Sequence, residues 1–362
     1  MIYNCIMKIF IEFIKKEIIF VIFFCLMLFS IFLIPLDKEY LKYIDYKTLI
    51  VLYVFMLVIE GLKESLIFEL ILMYIFKISK NLYILSVLLV LSVFFLAMLI
   101  TNDVVLILFV PFTIQIFNKL KMKKYIIDII ILETISANLG SMLTPIGNPQ
   151  NLYLYILSNM EFIKFIKLMF PYTLLAFVII NIFLIILFSN KILINIDYNN
   201  CIKIKYDYLF WLVLCILSVF KIVDIYLVFL LINIYVFVNN KYLLRKIDYM
   251  LLLTFVVFFV FSSNISRYFA NIISIAGNEL LYSIVFSQFI SNVPVAILLS
   301  KFTTKYELLI IGTNLGGLGT IIASMASLIS YKQVENKRKY LFKFSMYNIV
   351  FLVIYVVFLN MR

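Results

Sequence analysis

Long apolar runs separated by short polar breaks fill almost the whole chain. The runs cover residues 18–35, 48–61, 81–118, 125–157, 170–188, 207–220, 222–240, 247–263, 279–300, 306–330 and 344–360. A bilayer core of about 30 Å takes about 20 apolar residues per helix, so the pattern predicts roughly ten to twelve membrane spans and no sizeable soluble domain. We expect an all-α polytopic membrane protein in which one transmembrane domain fills residues 1–362.

Two of the runs do not have the form of a single span. Residues 81–118 are too long for one helix and carry the polar triplet Thr101-Asn102-Asp103 near the middle. Residues 279–300 are barely one span and carry the pair Ser291-Asn292 past the centre. We predict that each run is a re-entrant hairpin, which enters and leaves the membrane on the same side.

The distribution of basic residues supports this topology. With the amino terminus inside and both runs as hairpins, 21 of the 31 Lys and Arg residues fall on the inner side, including the basic runs at 119–124 and 337–339. This bias is typical of cytoplasmic loops, so we expect a multi-pass protein of the plasma membrane whose hairpins open to opposite sides. The net charge of +12 then reflects orientation in the lipid bilayer, and no nucleic-acid partner is expected.

An internal repeat is the strongest signal in the chain. The segment NLGSMLTPIGN begins at Asn138 and NLGGLGTIIAS begins at Asn314, with five of eleven positions identical. Each segment follows one of the predicted hairpins. We therefore predict two inverted repeats, at about 48–188 and 207–359, each with a re-entrant hairpin and a broken transmembrane helix, which is the usual basis of alternating access in secondary transporters.

Helix-breaking residues concentrate in the same places. Of the 14 Gly and Pro residues, 10 lie in residues 101–150 and 291–324. Freed backbone groups are costly in hydrocarbon unless they line a cavity or meet a ligand, so clustered breaks indicate a binding site. The residues that these arguments assign to substrate or ion binding are Asn102, Asn138, Gly140, Pro145, Asn292, Asn314 and Gly316.

Two carboxylates are candidates for carrying a coupling ion. Asp103 lies at a hairpin tip with no Lys or Arg in its motif, and Glu133 lies five residues before Asn138. Intramembrane carboxylates default to functional roles, so we expect them to bind a transported or co-bound proton or sodium ion. No Lys or Arg occurs in the motifs, which favours a small neutral or monovalent solute.

Much enzyme chemistry is missing from the composition. The chain has no His, its four cysteines have no CxxC spacing, and it has no GxxxxGK[ST] sequence, so we expect no metal site, no cofactor and no ATP hydrolysis by this chain. A separate ATPase subunit stays open as a partner. A polytopic membrane enzyme is the alternative class, but the longest loops hold about 20 residues, and the duplicated motif has no role in such chemistry.

The strings TNDVVLILFVPF and NLGSMLTPIGNPQN resemble the arsenical-pump (ArsB-type) and NhaD-type permease branch of the ion-transporter superfamily. Citrate and dicarboxylate/sodium symporters are more distant relatives there. The resemblance implies arsenite or antimonite efflux in exchange for protons, with a sodium/proton antiporter and a citrate or dicarboxylate transporter as alternatives, and a homodimer. By the same resemblance, Thr101, Thr144, Gly147, Asn148, Ser291 and Thr320 join the substrate and cation sites.

Overall fold

The computed structural model describes residues 17–189, 192–193, 206–269, 275 and 277–361, and in these residues the regular elements are helices apart from an isolated bridge between Asn81 and Leu193. The α-helices of the first half are α1 (Ile18–Leu33), α2 (Tyr40–Tyr43), α3 (Tyr46–Glu64), α4 (Ile67–Ile78), α5 (Leu82–Leu96), α6 (Asn102–Lys119), α7 (Ile126–Gly140), α8 (Pro149–Ser158) and α9 (Phe162–Phe188). Those of the second half are α10 (Asp207–Val219), α11 (Ile225–Asn240), α12 (Tyr249–Phe269), α13 (Glu279–Ile290), α14 (Asn292–Leu299), α15 (Tyr306–Gly316), α16 (Met325–Gln333) and α17 (Lys337–Asn360).

The outer surface of the helical bundle is strongly apolar. Six helical stretches in the described part are long and apolar enough to cross a membrane, and four shorter ones are also apolar. Large side chains such as Phe32, Ile186 and Val238 lie 85%, 70% and 75% exposed. Exposed apolar faces of this extent belong in lipid. The prediction of an all-α polytopic membrane protein is confirmed.

Both unusual apolar runs are interrupted where the sequence predicts. Helices α5 and α6 pack against each other and are joined by residues 97–101. Helices α13 and α14 are joined by Ser291 alone, which has φ 72° and ψ 153°. The Oε1 atom of Glu279, the first residue of α13, accepts a hydrogen bond of 3.1 Å from the hydroxyl of Thr303, shortly after α14, so this run turns back on itself.

Each hairpin packs closely against its own broken helix, at a glycine. A Cβ atom on Gly140, at the end of α7, would lie 2.2 Å from the carbonyl oxygen of Phe94 in α5. A Cβ atom on Gly316, at the end of α15, would lie 2.7 Å from the hydroxyl of Ser287 in α13. The two glycines occupy matching positions in the repeated segment, and both allow a hairpin arm to approach the chain at its break.

The ion pairs agree with the predicted division into inner and outer ends. Lys343 contacts Asp128 at 2.6 Å and so brings the basic runs at 119–124 and 337–339 to the same end of the bundle. Every ion pair in the described part of the chain joins two positions predicted to lie on the same side. The others are Lys63 with Glu60, Lys164 with Glu307, Lys246 with Glu64, Arg267 with Asp37 and Glu39, and Lys305 with Glu279.

Some elements differ from the sequence prediction. Helix α4 (Ile67–Ile78) was not among the predicted runs, because Glu69 and Lys77 interrupt its apolar pattern. Helix α9 begins at Phe162, eight residues before the predicted run. The amino-terminal lysines at 8, 15 and 16, the cysteines at 5 and 201, and most of the basic segment 189–206 lie outside the described residues.

The inverted orientation of the repeats stays a prediction, and cysteine accessibility tests it. In a background without the four native cysteines, Lys123→Cys follows the first hairpin and Thr304→Cys follows the second, both at exposed positions. We expect an impermeant maleimide to label Thr304→Cys in intact cells and Lys123→Cys only after permeabilisation. Labelling of both from the same side would contradict inversion.

Candidate functional site

The tip of the first hairpin is fixed to the break between α7 and α8. The backbone N–H of Asn102 donates to the carbonyl oxygen of Gly147 at 3.0 Å. The hydroxyl of Thr144 donates to the carbonyl oxygen of Met98, before the tip, at 2.5 Å. These two bonds satisfy backbone groups that the interruption of the helices has freed.

The second hairpin makes the same two contacts at matching positions. The backbone N–H of Asn292 donates to the carbonyl oxygen of Ala323 at 3.0 Å. The hydroxyl of Thr320 donates to the carbonyl oxygen of Gln288 at 2.8 Å. Thr320 is nonetheless exposed, whereas Thr144 is buried, so the two threonines differ in their access to the surroundings.

Asn138 connects the first tip to the second break. Its Oδ1 atom accepts hydrogen bonds from the Nδ2 atom of Asn102 at 3.0 Å and from the hydroxyl of Ser324 at 2.9 Å. Its Nδ2 atom donates to the hydroxyl of Ser327 at 3.3 Å. Since Ser324 follows Ala323, which binds the second tip, a continuous set of contacts joins both hairpins through Asn138.

Asn314 makes the reciprocal contact with the first repeat. Its Nδ2 atom donates to the Oδ1 atom of Asn151 in α8 at 2.6 Å. Asn151 lies three residues after Asn148, just as Ser327 lies three residues after Ser324. Asn138 and Asn314 therefore each reach the matching position of the opposite repeat. The Oδ1 atom of Asn314 is buried and has no hydrogen-bond partner within the described residues.

The first break is itself held by side-chain hydrogen bonds. The Nδ2 atom of Asn148, the N-cap residue of α8, donates to the hydroxyl of Ser141 at 2.5 Å. The Nδ2 atom of Asn151 lies 3.4 Å from the carbonyl oxygen of Ser141 and 3.3 Å from that of Thr144. Pro149 at the first position of α8 fits the start of a helix, because its missing N–H would be unpaired there.

Four helix N-termini meet this polar cluster. Helices α6, α8, α14 and α16 begin at Asn102, Pro149, Asn292 and Met325, each next to a residue of the hydrogen-bonded set. The asparagines at 102, 138, 148, 292 and 314 are at most 5% exposed. The side chains that form the cluster are amides and hydroxyls, and in the described part of the chain no Lys or Arg donates to them.

The two candidate carboxylates lie in different surroundings. Asp103 is half-buried in the first turn of α6, and within the described residues its carboxylate has no hydrogen-bond or ion-pair partner. Glu133 is fully buried in α7 and accepts a hydrogen bond of 2.5 Å from the hydroxyl of Thr113 in α6. Among the described residues, no three His, Cys, Asp or Glu side chains gather as a metal ion would require.

The predicted site residues fall into three groups. Those whose hydrogen bonds hold a hairpin tip against a break or join the two repeats are Asn102, Asn138, Thr144, Gly147, Asn148, Asn292 and Asn314. Those that shape the backbone there are Thr101 and Ser291, which are the N-cap residues of α6 and α14, with Gly140, Pro145 and Gly316. The carboxyl groups of Asp103 and Glu133 make no hydrogen bond to this set, although the backbone N–H of Asp103 donates to Oδ1 of Asn102 at 2.9 Å. Thr320 is the exposed counterpart of Thr144 at the second tip.

Sequence reasoning missed Asn151, Ser324, Ser327 and Ser141. The signal was present, because the eleventh position of the repeat alignment pairs Asn148 with Ser324, and extending the alignment by three positions pairs Asn151 with Ser327. These pairs share no identical residue, so identity alone did not identify them, although all four are short polar side chains in an apolar chain.

The geometry of the site defines a class of protein. Neutral polar groups hold two hairpin tips against two broken helices within an apolar helical bundle, and this arrangement is that of a polytopic membrane transporter. The sequence comparison agrees, because the citrate transporter (CitMHS) family matches residues 6–306. The chain belongs to this family, whose members are transporters and not enzymes.

Two curated relatives align with most of the chain. An uncharacterized transporter of Methanocaldococcus jannaschii is 37% identical over 303 residues, which are 81% of this chain and 82% of the relative. The inner membrane protein YbiR of Escherichia coli is 28% identical over 333 residues, 88% of each chain. Both alignments cover more than four fifths of each chain, so the likeness extends over most of each protein.

Proposed function

We propose that this protein is an ion-coupled secondary transporter of a small carboxylate or inorganic oxyacid. The observation that carries the proposal is the buried hydrogen-bonded set around Asn138 and Asn314, which joins both hairpin tips through amide and hydroxyl groups. Such groups donate and accept hydrogen bonds without fixing a charge, as recognition of an oxyacid requires. Membership of the citrate transporter family supports an anion of this class.

The electrostatics favour a substrate of low charge. Each helix N-terminus is equivalent to about half a positive charge, so those of α6, α8, α14 and α16 favour an anion near the cluster. The C-terminal ends of α7 and α15 lie close by and reduce the net effect. A polyanion such as citrate would need a co-bound cation here, whereas a neutral oxyacid such as arsenite or antimonite would not. Efflux of the latter in exchange for protons is therefore the most specific form of the proposal.

A sodium/proton antiporter is the second candidate, and Asp103 favours it. A carboxylate without an ion-pair partner in the first turn of α6 is a possible cation ligand. The same position at a helix N-terminus also stabilises the ionised carboxylate by itself. The position of Asp103 is therefore compatible with cation transport but does not depend on it. The transport assay with four compounds, described below, separates the two hypotheses.

The reciprocal contacts support an alternating-access cycle. Asn138 binds Ser324 and Ser327 across the repeats, and Asn314 binds Asn151. These few hydrogen bonds are worth about 1 kcal/mol each, a size that a transport cycle exchanges for substrate contacts. We propose that substrate takes their place when the repeats move, in the plasma membrane and with the amino terminus inside. A homodimer is an open part of the proposal.

Uptake by proteoliposomes tests the proposed function. We expect the purified protein to accumulate one of arsenite, phosphate, citrate or succinate above the level of protein-free liposomes when a pH or sodium gradient is imposed. A reconstituted Asn138→Ala variant serves as the matched inactive control. If none of the four compounds moves, and an imposed sodium gradient instead changes the internal pH, the antiporter hypothesis replaces the proposal.

A further inference from the structure

The contact between Glu133 and Thr113 lies apart from the asparagine cluster, in the interface of α6 and α7. Both side chains are fully buried. The hydroxyl of Thr113 donates to Oε1 of Glu133 at 2.5 Å, while Oε2 has no hydrogen-bond partner in the described part of the chain. The carboxyl group therefore has one partner for two oxygens.

The helices around α7 bring no basic group to this carboxyl. Helix α6 has Asp103 and Lys119 at its two ends, and Lys332 lies near the end of α16. On α17, Lys343 forms an ion pair with Asp128. Tyr340 of the same helix forms a hydrogen bond with Thr134 and interacts electrostatically with Glu133.

The other helices around α7 have their titratable groups elsewhere. Helix α5 carries Tyr83, and α15 begins with Tyr306 and Glu307. Helix α9 carries Tyr172, with Lys164 and Lys167 in its first turns. In the described residues Glu133 forms no ion pair with any of them.

The second repeat provides an internal control. Leu309 lies five residues before Asn314, as Glu133 lies five residues before Asn138, and Leu309 is fully buried too. The same packing position therefore accepts an apolar side chain. Packing therefore does not explain why residue 133 is a glutamate, and a role for its carboxyl group has to be sought.

An ionised carboxylate is expensive at such a place. Burial of an unpaired ion costs several kcal/mol even after relaxation, and one neutral hydroxyl recovers only part of it. The group must hold a proton or bind a cation. Glu133 and Thr113 offer three side-chain oxygens, fewer than the six or more that hard cations such as Ca²⁺ take, so the proton is the better occupant.

We propose that Glu133 is the proton-exchange site of the transport cycle, with Thr113 as a positioning residue. The proposal rests on the ion-coupled function proposed above. Glu133 lies about 7.5 Å along α7 from Asn138, at 1.5 Å per residue, and Thr113 belongs to the helix whose first residue binds Asn138. Movement of α6 against α7 therefore changes the substrate contact and the surroundings of the carboxyl together. In the step itself the O–H bond of the carboxyl breaks, and the proton passes to water on one side of the membrane.

Infrared difference spectroscopy of the purified full chain tests the site without a known substrate. We expect a pH titration to show the C=O band of a buried protonated carboxyl, which is lost in Glu133→Gln and Glu133→Leu and kept in Asp103→Asn. Glu133→Leu introduces the side chain that the second repeat has at this position, so it is the variant most compatible with folding. Thr113→Val is expected to shift the midpoint of the titration and keep the band.

Several outcomes would overturn the assignment. A band that persists in both folded Glu133 variants, or disappears in Asp103→Asn, would exclude Glu133 as the titrating group. Loss of the band on adding sodium at constant pH would assign the site to sodium. In proteoliposomes, a pH gradient should no longer accelerate uptake by Glu133→Gln. If wild-type protein shows the band but transports none of the four compounds, the proposed substrate class fails and the proton site stands.

Discussion

Replacing Asn138 by alanine is expected to lower the transport rate about 100-fold, because two buried donors lose their acceptor at about 1.4 kcal/mol each. These donors are the Nδ2 atom of Asn102 and the hydroxyl of Ser324, both bound to Oδ1 of Asn138. The change disconnects the first hairpin tip from the second repeat. The measurement is the initial rate of uptake into proteoliposomes by equal amounts of reconstituted protein.

A matched control is available on α9. Asn181 is half-buried and donates to the carbonyl oxygen of Phe177 in its own helix, so Asn181→Ala removes an asparagine that connects no repeats. We expect this variant to keep at least about half of the wild-type rate, because changes away from a buried hydrogen-bond network cost within about 0.5 kcal/mol. Equal losses in Asn138→Ala and Asn181→Ala would contradict the role assigned to Asn138.

Asn138→Asp separates transport of an anion from sodium/proton antiport. Aspartate keeps an oxygen for Asn102 and Ser324 but adds a negative charge among the helix N-termini. An anion transporter should then lose at least as much activity as in Asn138→Ala, because the new charge repels the substrate. A sodium/proton antiporter should tolerate the change or bind sodium more tightly. A variant active with an anionic substrate would sink the proposed electrostatics.

The sequence predicted the interrupted elements because the interruptions are conspicuous. Asparagine, glycine and proline are rare within long apolar runs, and at the tips and breaks they have to satisfy or replace backbone hydrogen bonds. Asn102 and Asn292 therefore identified the two tips, and the repeated segments from Asn138 and Asn314 identified the two breaks. The structure has an interruption at each of these places.

Contacts between the repeats could not be predicted in the same way. Ser324 and Asn138 are 186 residues apart, and Asn314 and Asn151 are 163 residues apart. No local pattern encodes such pairs, because they depend on how whole helices pack. Nothing in the sequence around Ser327 distinguishes it, and its contact with Asn138 follows only from the packing of α16 against α7. Helix α4 was not predicted for a local reason, because Glu69 and Lys77 interrupt its apolar pattern.

The structure also separates roles that the sequence grouped together. Gly140 and Gly316 were expected at the binding site as helix breakers, and the structure shows each of them pressed against a hairpin arm. Thr144 and Thr320 were both expected in the site, and both bind a carbonyl oxygen before a hairpin tip, but Thr320 does so at an exposed place. The glycines that stand out in the sequence therefore allow close packing at the breaks, whereas Ser324 and Ser327, which do not stand out, bind Asn138.

Gly140→Ala is expected to destabilise the protein by about 3 kcal/mol, the upper range for overpacking, while Gly316→Ala costs about 1 kcal/mol. The two differ in what the new Cβ atom meets. At Gly140 it would lie 2.2 Å from the backbone oxygen of Phe94, which moves only with helix α5. At Gly316 it would lie 2.7 Å from the hydroxyl of Ser287, which has other rotamers, but also 2.8 Å from the Cβ atom of Ser287 and 3.0 Å from the carbonyl oxygen of Ser283, so α13 has to shift by less than α5 does. Displacing α5 would also draw the carbonyl of Met98 away from Thr144.

Thermal unfolding in detergent, followed by the monodisperse fraction after heating, measures both effects. Gly277→Ala is the control, because its Cβ atom would meet nothing within 4 Å and its cost comes only from φ of +88°, at about 1 to 2 kcal/mol. The expected order of stability is wild type, then Gly316→Ala and Gly277→Ala, then Gly140→Ala. An unfolding midpoint of Gly140→Ala equal to that of Gly316→Ala would mean that the first hairpin arm moves as easily as the second. The close contact at the end of α7 would then not hold the first hairpin in place.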